Sequence, residues 1–120
     1  MVTLEFNVER LDEARCTVSI RGAADIAAAD LMKVRMEEVA KGPYTRVVLD
    51  LTQLSFLTSL ALGEMLALNK AKKAAGGMVV IAGPNEYVHS VLKQARVAEV
   101  IKVYPTIAAA EEAIGGVGVR

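Results

Sequence analysis

Two adjacent hydroxyls, Thr58 and Ser59, lie in the stretch Leu54-Ser55-Phe56-Leu57-Thr58-Ser59-Leu60-Ala61-Leu62-Gly63, where Ser55 is the only other polar side chain. At a predicted helix start such a pair has two chemistries open to it. One hydroxyl can be an N-cap, accepting from a free backbone N–H for about 1 kcal/mol. Alternatively, Ser59 can accept a phosphoryl group, whose charge of about −1.5 to −2 is tolerated by helix amides but disrupts any partner docked on the apolar neighbours.

The remaining chemistry-bearing residues do not converge. His89 is the sole histidine, inside a predicted helix, with no paired carboxylate or cysteine motif, and reads as a surface or packing residue. Cys16 is the sole cysteine, which excludes an internal disulfide and a cysteine-based zinc cluster and leaves a small strand residue. Gly76-Gly77 and Gly83-Pro84 have neither the Walker lysine spacing nor the Rossmann glycine spacing, so they are punctuation and not phosphate cradles. Lys70, Lys72 and Lys73 at a helix end read as a solvated face complementing the helix dipole. No catalytic residue, metal site or cofactor is expected, and the chain is predicted not to be an enzyme.

The elements that must position these residues follow from periodicity. Leu4, Phe6 and Val8, then Cys16, Val18 and Ile20, alternate with polar residues and predict a strand pair joined by Arg10 to Arg15, antiparallel at a sheet edge. Ala27 to Lys41 predicts a helix, with Leu31, Met32, Val34, Met36 and Val39 as its apolar residues, ended by Gly42-Pro43. Val47 to Leu51 and Met78 to Ala82 are short apolar runs expected of central strands. Between them Leu60 to Ala75 predicts a helix with Leu62, Met65, Leu66 and Asn69 on one side, and strand, helix, strand implies a right-handed parallel crossover. Tyr87, Val88, Val91, Leu92 and Ala95 mark a third helix. A short strand is expected at Ile101 to Val103, then a last helix from Thr106 to Ile114 and a frayed tail over Gly115 to Arg120. Parallel strands would bring the loops Gly22 to Asp25, Ser55 to Ser59 and Gly83 to Asn85 to one end of the sheet, where open α/β folds place their sites.

With 120 residues and 53% hydrophobic content, the chain is expected to form one globular domain over residues 1–120. Fourteen basic and fourteen acidic residues give no net charge, so no electrostatic footprint for nucleic acid is present. No apolar run approaches the roughly 18 to 20 residues that span a bilayer, which predicts no membrane insertion. The start Met1-Val2-Thr3-Leu4-Glu5 has no signal-peptide pattern, which predicts a cytoplasmic protein.

The series Ile20-Arg21-Gly22-Ala23-Ala24-Asp25, then Val48-Leu49-Asp50-Leu51 through Phe56 to Gly63, then Gly76-Gly77-Met78-Val79-Val80-Ile81-Ala82, resembles the STAS domain of sulphate transporters and anti-sigma factor antagonists over nearly the whole chain. The resemblance implies an α/β fold with a mixed four- to five-stranded sheet and about four helices. It implies a bacterial anti-sigma factor antagonist that binds an anti-sigma factor/serine kinase, is switched off by phosphorylation of a helix-start serine and is restored by a phosphatase. ATP and magnesium would belong to the partner. The phosphoacceptor of the family pattern Asp-Ser-Ser-Gly falls on Ser59, with Thr58 as a rival acceptor in the aspartate position, Leu60 for the second serine and Ala61 for the glycine. Asp25 matches the aspartate bordering the family's partner surface. The expected partner-binding residues are Asp25, Thr58, Ser59, Leu60 and Leu62, on a monomer or weak dimer. Alternative readings are an unmodified STAS scaffold or regulatory subunit of a signalling or lipid-transporter complex, and a small-molecule binder at the strand-end crevice.

Overall fold

The computed structural model describes residues 4–115. Alternation at the amino terminus yields a hairpin: β1 (Leu4–Arg10) pairs antiparallel with β2 (Arg15–Ala24), with Phe6 opposite Ile20 and Val8 opposite Val18. Period two turns Cys16, Val18 and Ile20 into the core beside Leu4. A 3₁₀ turn (Ile26–Ala28) leads into α1 (Ala29–Lys41). There follow β3 (Arg46–Asp50), β4 (Leu54–Leu57), α2 (Ser59–Ala74), β5 (Met78–Ala82), α3 (Glu86–Gln94), a second 3₁₀ turn (Val97–Glu99), β6 (Lys102–Tyr104) and α4 (Ile107–Gly115).

The sheet order is β1-β2-β3-β5-β6, parallel from β2 onward, with β4 lying parallel to the end of β2 beyond β3. One face packs Met32 and Met36 of α1, Met65 and Leu68 of α2 and Val88 and Leu92 of α3 against the strands. On the other face, Ala110 and Ile114 of α4 cover Val48, Val80 and Ala82. Central strands covered on both faces explain the continuous apolar runs of β3 and β5.

The architecture is α/β with a mixed sheet and four helices, but the sheet has six strands where four or five were expected. The additional strand is β4. Its buried-exposed-exposed-buried order and a register shift between Gly22 and Ala23 break the alternation that identifies a strand. Gly22 to Ala24 and Ser55 to Leu57, expected in loops, are therefore strand residues. Val34 and Leu66, expected on buried helix faces, are exposed, and so are Tyr87 and Ala95 around α3.

Lys72 corrects the expected solvated lysine face: it is 2% exposed, and its Nζ donates to the carbonyls of Ala40 and Gly42 at 3.4 Å each. Carbonyls at the end of α1 lack helical partners, which makes them acceptors for a buried ammonium. Burial still pushes the Lys72 pKa down. Lys70 and Lys73 remain exposed. Of the tail expected to fray, Gly115 is the last residue of α4, and residues 116–120 lie outside the described residues. Among the described residues no helix is long and apolar enough to cross a membrane.

Candidate functional site

Asp50, at the end of β3, starts the construction of the site. Its carboxylate is nearly buried and accepts from Ser19 Oγ at 2.8 Å, Thr52 N at 2.9 Å and Thr52 Oγ1 at 2.7 Å. Three donors satisfy the charge and clamp the turn after β3. Gly22 N then donates to Gln53 O at 3.0 Å, and the chain resumes as β4 beside the last residues of β2, pairing Ala23 with Phe56 and Ala24 with Leu57.

That pairing carries two segments to one end of the sheet. Thr58 N donates to Ala24 O at 3.1 Å, which sets Thr58 beside the peptide that precedes Asp25. The Asp25 carboxylate accepts from Ala28 N at 3.0 Å, capping the 3₁₀ turn before α1. The third segment joins through Asn85, whose Oδ1 accepts from Val88 N at 2.7 Å as the cap of α3 and whose Nδ2 donates to Leu54 O at 3.2 Å. The three segments at the carboxyl ends of β2, β4 and β5 are thus tied together through β4.

The two hydroxyls have different positions. Thr58 is extended (φ −105°, ψ 170°) and its Oγ1 accepts from Ala61 N at 3.4 Å, while its carbonyl accepts from Leu62 N at 3.1 Å. Thr58 is the N-cap, which leaves Ser59 as the exposed first residue of α2. No acidic residue occupies the first turn of α2, so no charged side chain of that turn compensates its positive dipole end.

Around Ser59 the apolar surface differs from the one expected. Leu62 is 5% exposed and packs in the core with Leu57 and Ala61, because it falls on the helix face turned to the sheet; it cannot line a docking surface. Leu60 is 55% exposed. Three residues that sequence reasoning did not assign to the site share this end: Ile26 (75% exposed), Phe56 (40%) and Tyr87 (47%), with the Phe56 and Tyr87 rings stacked at 5.7 Å and 9°. The available signal was their position, since each follows or lies within one of the three segments. His89 is half-buried within α3, and among the described residues no group of three or more His, Cys, Asp or Glu side chains gathers as a metal site.

The profile of the STAS domain matches residues 5–110. Over 80 residues the chain is 29% identical to a Thermotoga neapolitana homologue of TM1081 named as a candidate anti-sigma factor antagonist, covering 67% of this chain and 71% of that relative. The fold matches an anti-sigma factor antagonist from Mycobacterium paratuberculosis with a TM-score of 0.84 at 21% identity, over 92% of this chain and 93% of that one. It also matches the anti-sigma factor antagonist SpoIIAA in its unphosphorylated form, with a TM-score of 0.80 at 18% identity over 96% of this chain and all of that one. Against the phosphorylated form of SpoIIAA from Bacillus the TM-score is 0.71 at 17% identity, over 92% of this chain and 99% of that one.

Proposed function

The chain belongs to the STAS domain family, and from that premise we propose that it is a cytoplasmic, non-enzymatic anti-sigma factor antagonist switched by phosphorylation of Ser59. Unmodified, it docks the end of the molecule that holds Asp25, Thr58, Ser59 and Leu60 onto an anti-sigma factor/serine kinase and so releases the sigma factor. The observation that carries this reading is the division of labour at the start of α2. Thr58 supplies the cap, which leaves Ser59 exposed next to the exposed Leu60, at the end of the sheet that also carries Phe56, Tyr87 and Ile26.

Transfer is the partner's chemistry. The kinase base takes the Ser59 hydroxyl proton, Oγ forms the bond to the γ-phosphorus of ATP, and the bond from that phosphorus to the bridging oxygen breaks, with ADP leaving. The resulting charge of about −1.5 to −2 is tolerated by the amides of α2 but desolvated in any interface that covers Leu60 and Phe56. A phosphatase restores the docking form. Binding is by a monomer or weak dimer.

The test is calorimetric titration with the purified partner together with phosphosite mapping. Ser59→Asp is expected to melt within a few degrees of wild type yet bind more than about tenfold more weakly, or about 1.4 kcal/mol. Ser59→Ala should bind like wild type and resist phosphorylation. Tight binding by Ser59→Asp would sink the switch, and binding with no phosphate ever found on Ser59 would leave an unmodified scaffold instead.

A further inference from the structure

A second feature lies at the other end of the molecule and is independent of the Ser59 reading. A cavity of about 160 Å³ opens between the β1–β2 hairpin and the end of α1. Its walls are Phe6, Val8, Cys16, Val18, Val39 and Tyr44. Cys16 and Val18 are fully buried and form the floor, whereas Val8 is half exposed and stands at the rim. Along β2, even Val18, the wall residue of that strand nearest to Ala24, is six residues from it, about 20 Å by strand rise, so the cavity lies apart from the Ser59 surface.

Size, polarity and charge restrict what could occupy it. An apolar space of about 150 Å³ admits a benzene-sized guest, while sites for drug-sized ligands run from about 300 Å³ upward. Nucleotides and other large polar ligands would find few polar partners on these largely apolar walls. A small ion finds no unpaired charge in the lining, because Arg35 is already held by both carboxylate oxygens of Glu38 at 3.1 and 3.2 Å. Within the walls, the rings of Phe6 and Tyr44 and the sulfur of Cys16 offer ring–ring and sulfur–ring contacts, which favour an aromatic guest over an aliphatic one of the same size.

We infer that this cavity is a binding site for a small, neutral, single-ring aromatic molecule. The test is an NMR titration of the full chain with benzene and with phenol, accompanied by thermal melting. Saturable shifts are expected at Phe6, Val8, Cys16, Val18, Val39 and Tyr44, with a melting temperature raised by a few degrees near saturation. Val39→Phe, which fills the space from α1, should weaken binding at least tenfold; if that variant does not melt cooperatively, Val8→Phe at the half-exposed rim serves instead. Cyclohexane should bind several-fold more weakly than benzene, and equal binding would overturn the aromatic assignment. Absence of saturable shifts, shifts centred elsewhere, or unchanged affinity in the filled variant would overturn the site. Ligand-free shifts at the same residues that grow with protein concentration would also overturn it, by showing that a second copy of the chain closes the cavity.

Discussion

A threonine at position 58 and a serine at position 59 offer similar oxygens, and backbone geometry decides between them. The extended Thr58 points its Oγ1 at the free amide of Ala61, while Ser59 is already helical. Thr58→Ala is therefore expected to cost about 1 kcal/mol and a few degrees of melting temperature, and Ser59→Ala no more than about 0.5 kcal/mol. The reverse order in urea melts would return the cap to Ser59. Sequence alone could not separate the two, because either hydroxyl caps a helix and only the φ and ψ of the residue settle which one does. Cys16 gives a second residue-scale prediction. Burial raises its pKa from 9.0 to about 11, so the unfolded chain loses the thiol proton first and stability falls as pH rises from about 9 to 11. The loss should be about 1 kcal/mol at pH 10 relative to pH 8 and absent in Cys16→Val, where only the opposing contribution of Lys72, whose burial-lowered pKa adds stability as pH rises toward 10.5, is left.

Elements with strong periodicity were legible: the hairpin, both central strands and all four helices sit where alternation, apolar runs and caps place them. β4 was not, since four residues held by an Asp50 clamp and a shifted register show no period of their own. The site suffered accordingly. Reading Ser55 to Ser59 as a loop hid that Leu57 faces the core and Phe56 faces out to stack on Tyr87. Packing likewise separates two glycines, Gly63 inside α2 and Gly77 just beyond its end. A Cβ at Gly77 would overlap the Thr45 carbonyl, where the chain leaving α2 crosses the start of β3, whereas a Cβ at Gly63 meets nothing within 4 Å. Gly77→Ala should cost about 2 kcal/mol or more, and Gly63→Ala, in a helix interior, should stabilise by about 0.5 to 1 kcal/mol. Urea unfolding of both variants checks the pair, and equal effects would contradict the packing described.

Across the whole molecule, protection should follow the sheet order. β3 and β5 are flanked by strands on both sides and by helices on both faces, while β1 and β6 are edges. Amides of Val47 to Leu49 and Val79 to Ile81 are expected to exchange only through global unfolding, and the outward amides of β1 through local opening, as measured by native-state hydrogen exchange. The uncharged start of α2 reaches beyond structure into regulation. With a neutral threonine as cap and no carboxylate in the first turn, a phosphoryl group on Ser59, as proposed, would be the one side-chain anion within the first turn of α2. The helix would hold it by about 0.3 to 1 kcal/mol, and that amount opposes hydrolysis, shifting the balance about two- to fivefold toward the phosphorylated form. If Ser59 is switched as proposed, a phosphatase would work against this bias, and Thr58→Asp, which adds a negative charge at the cap, should lower the fraction phosphorylated at fixed kinase and phosphatase, as read by intact mass.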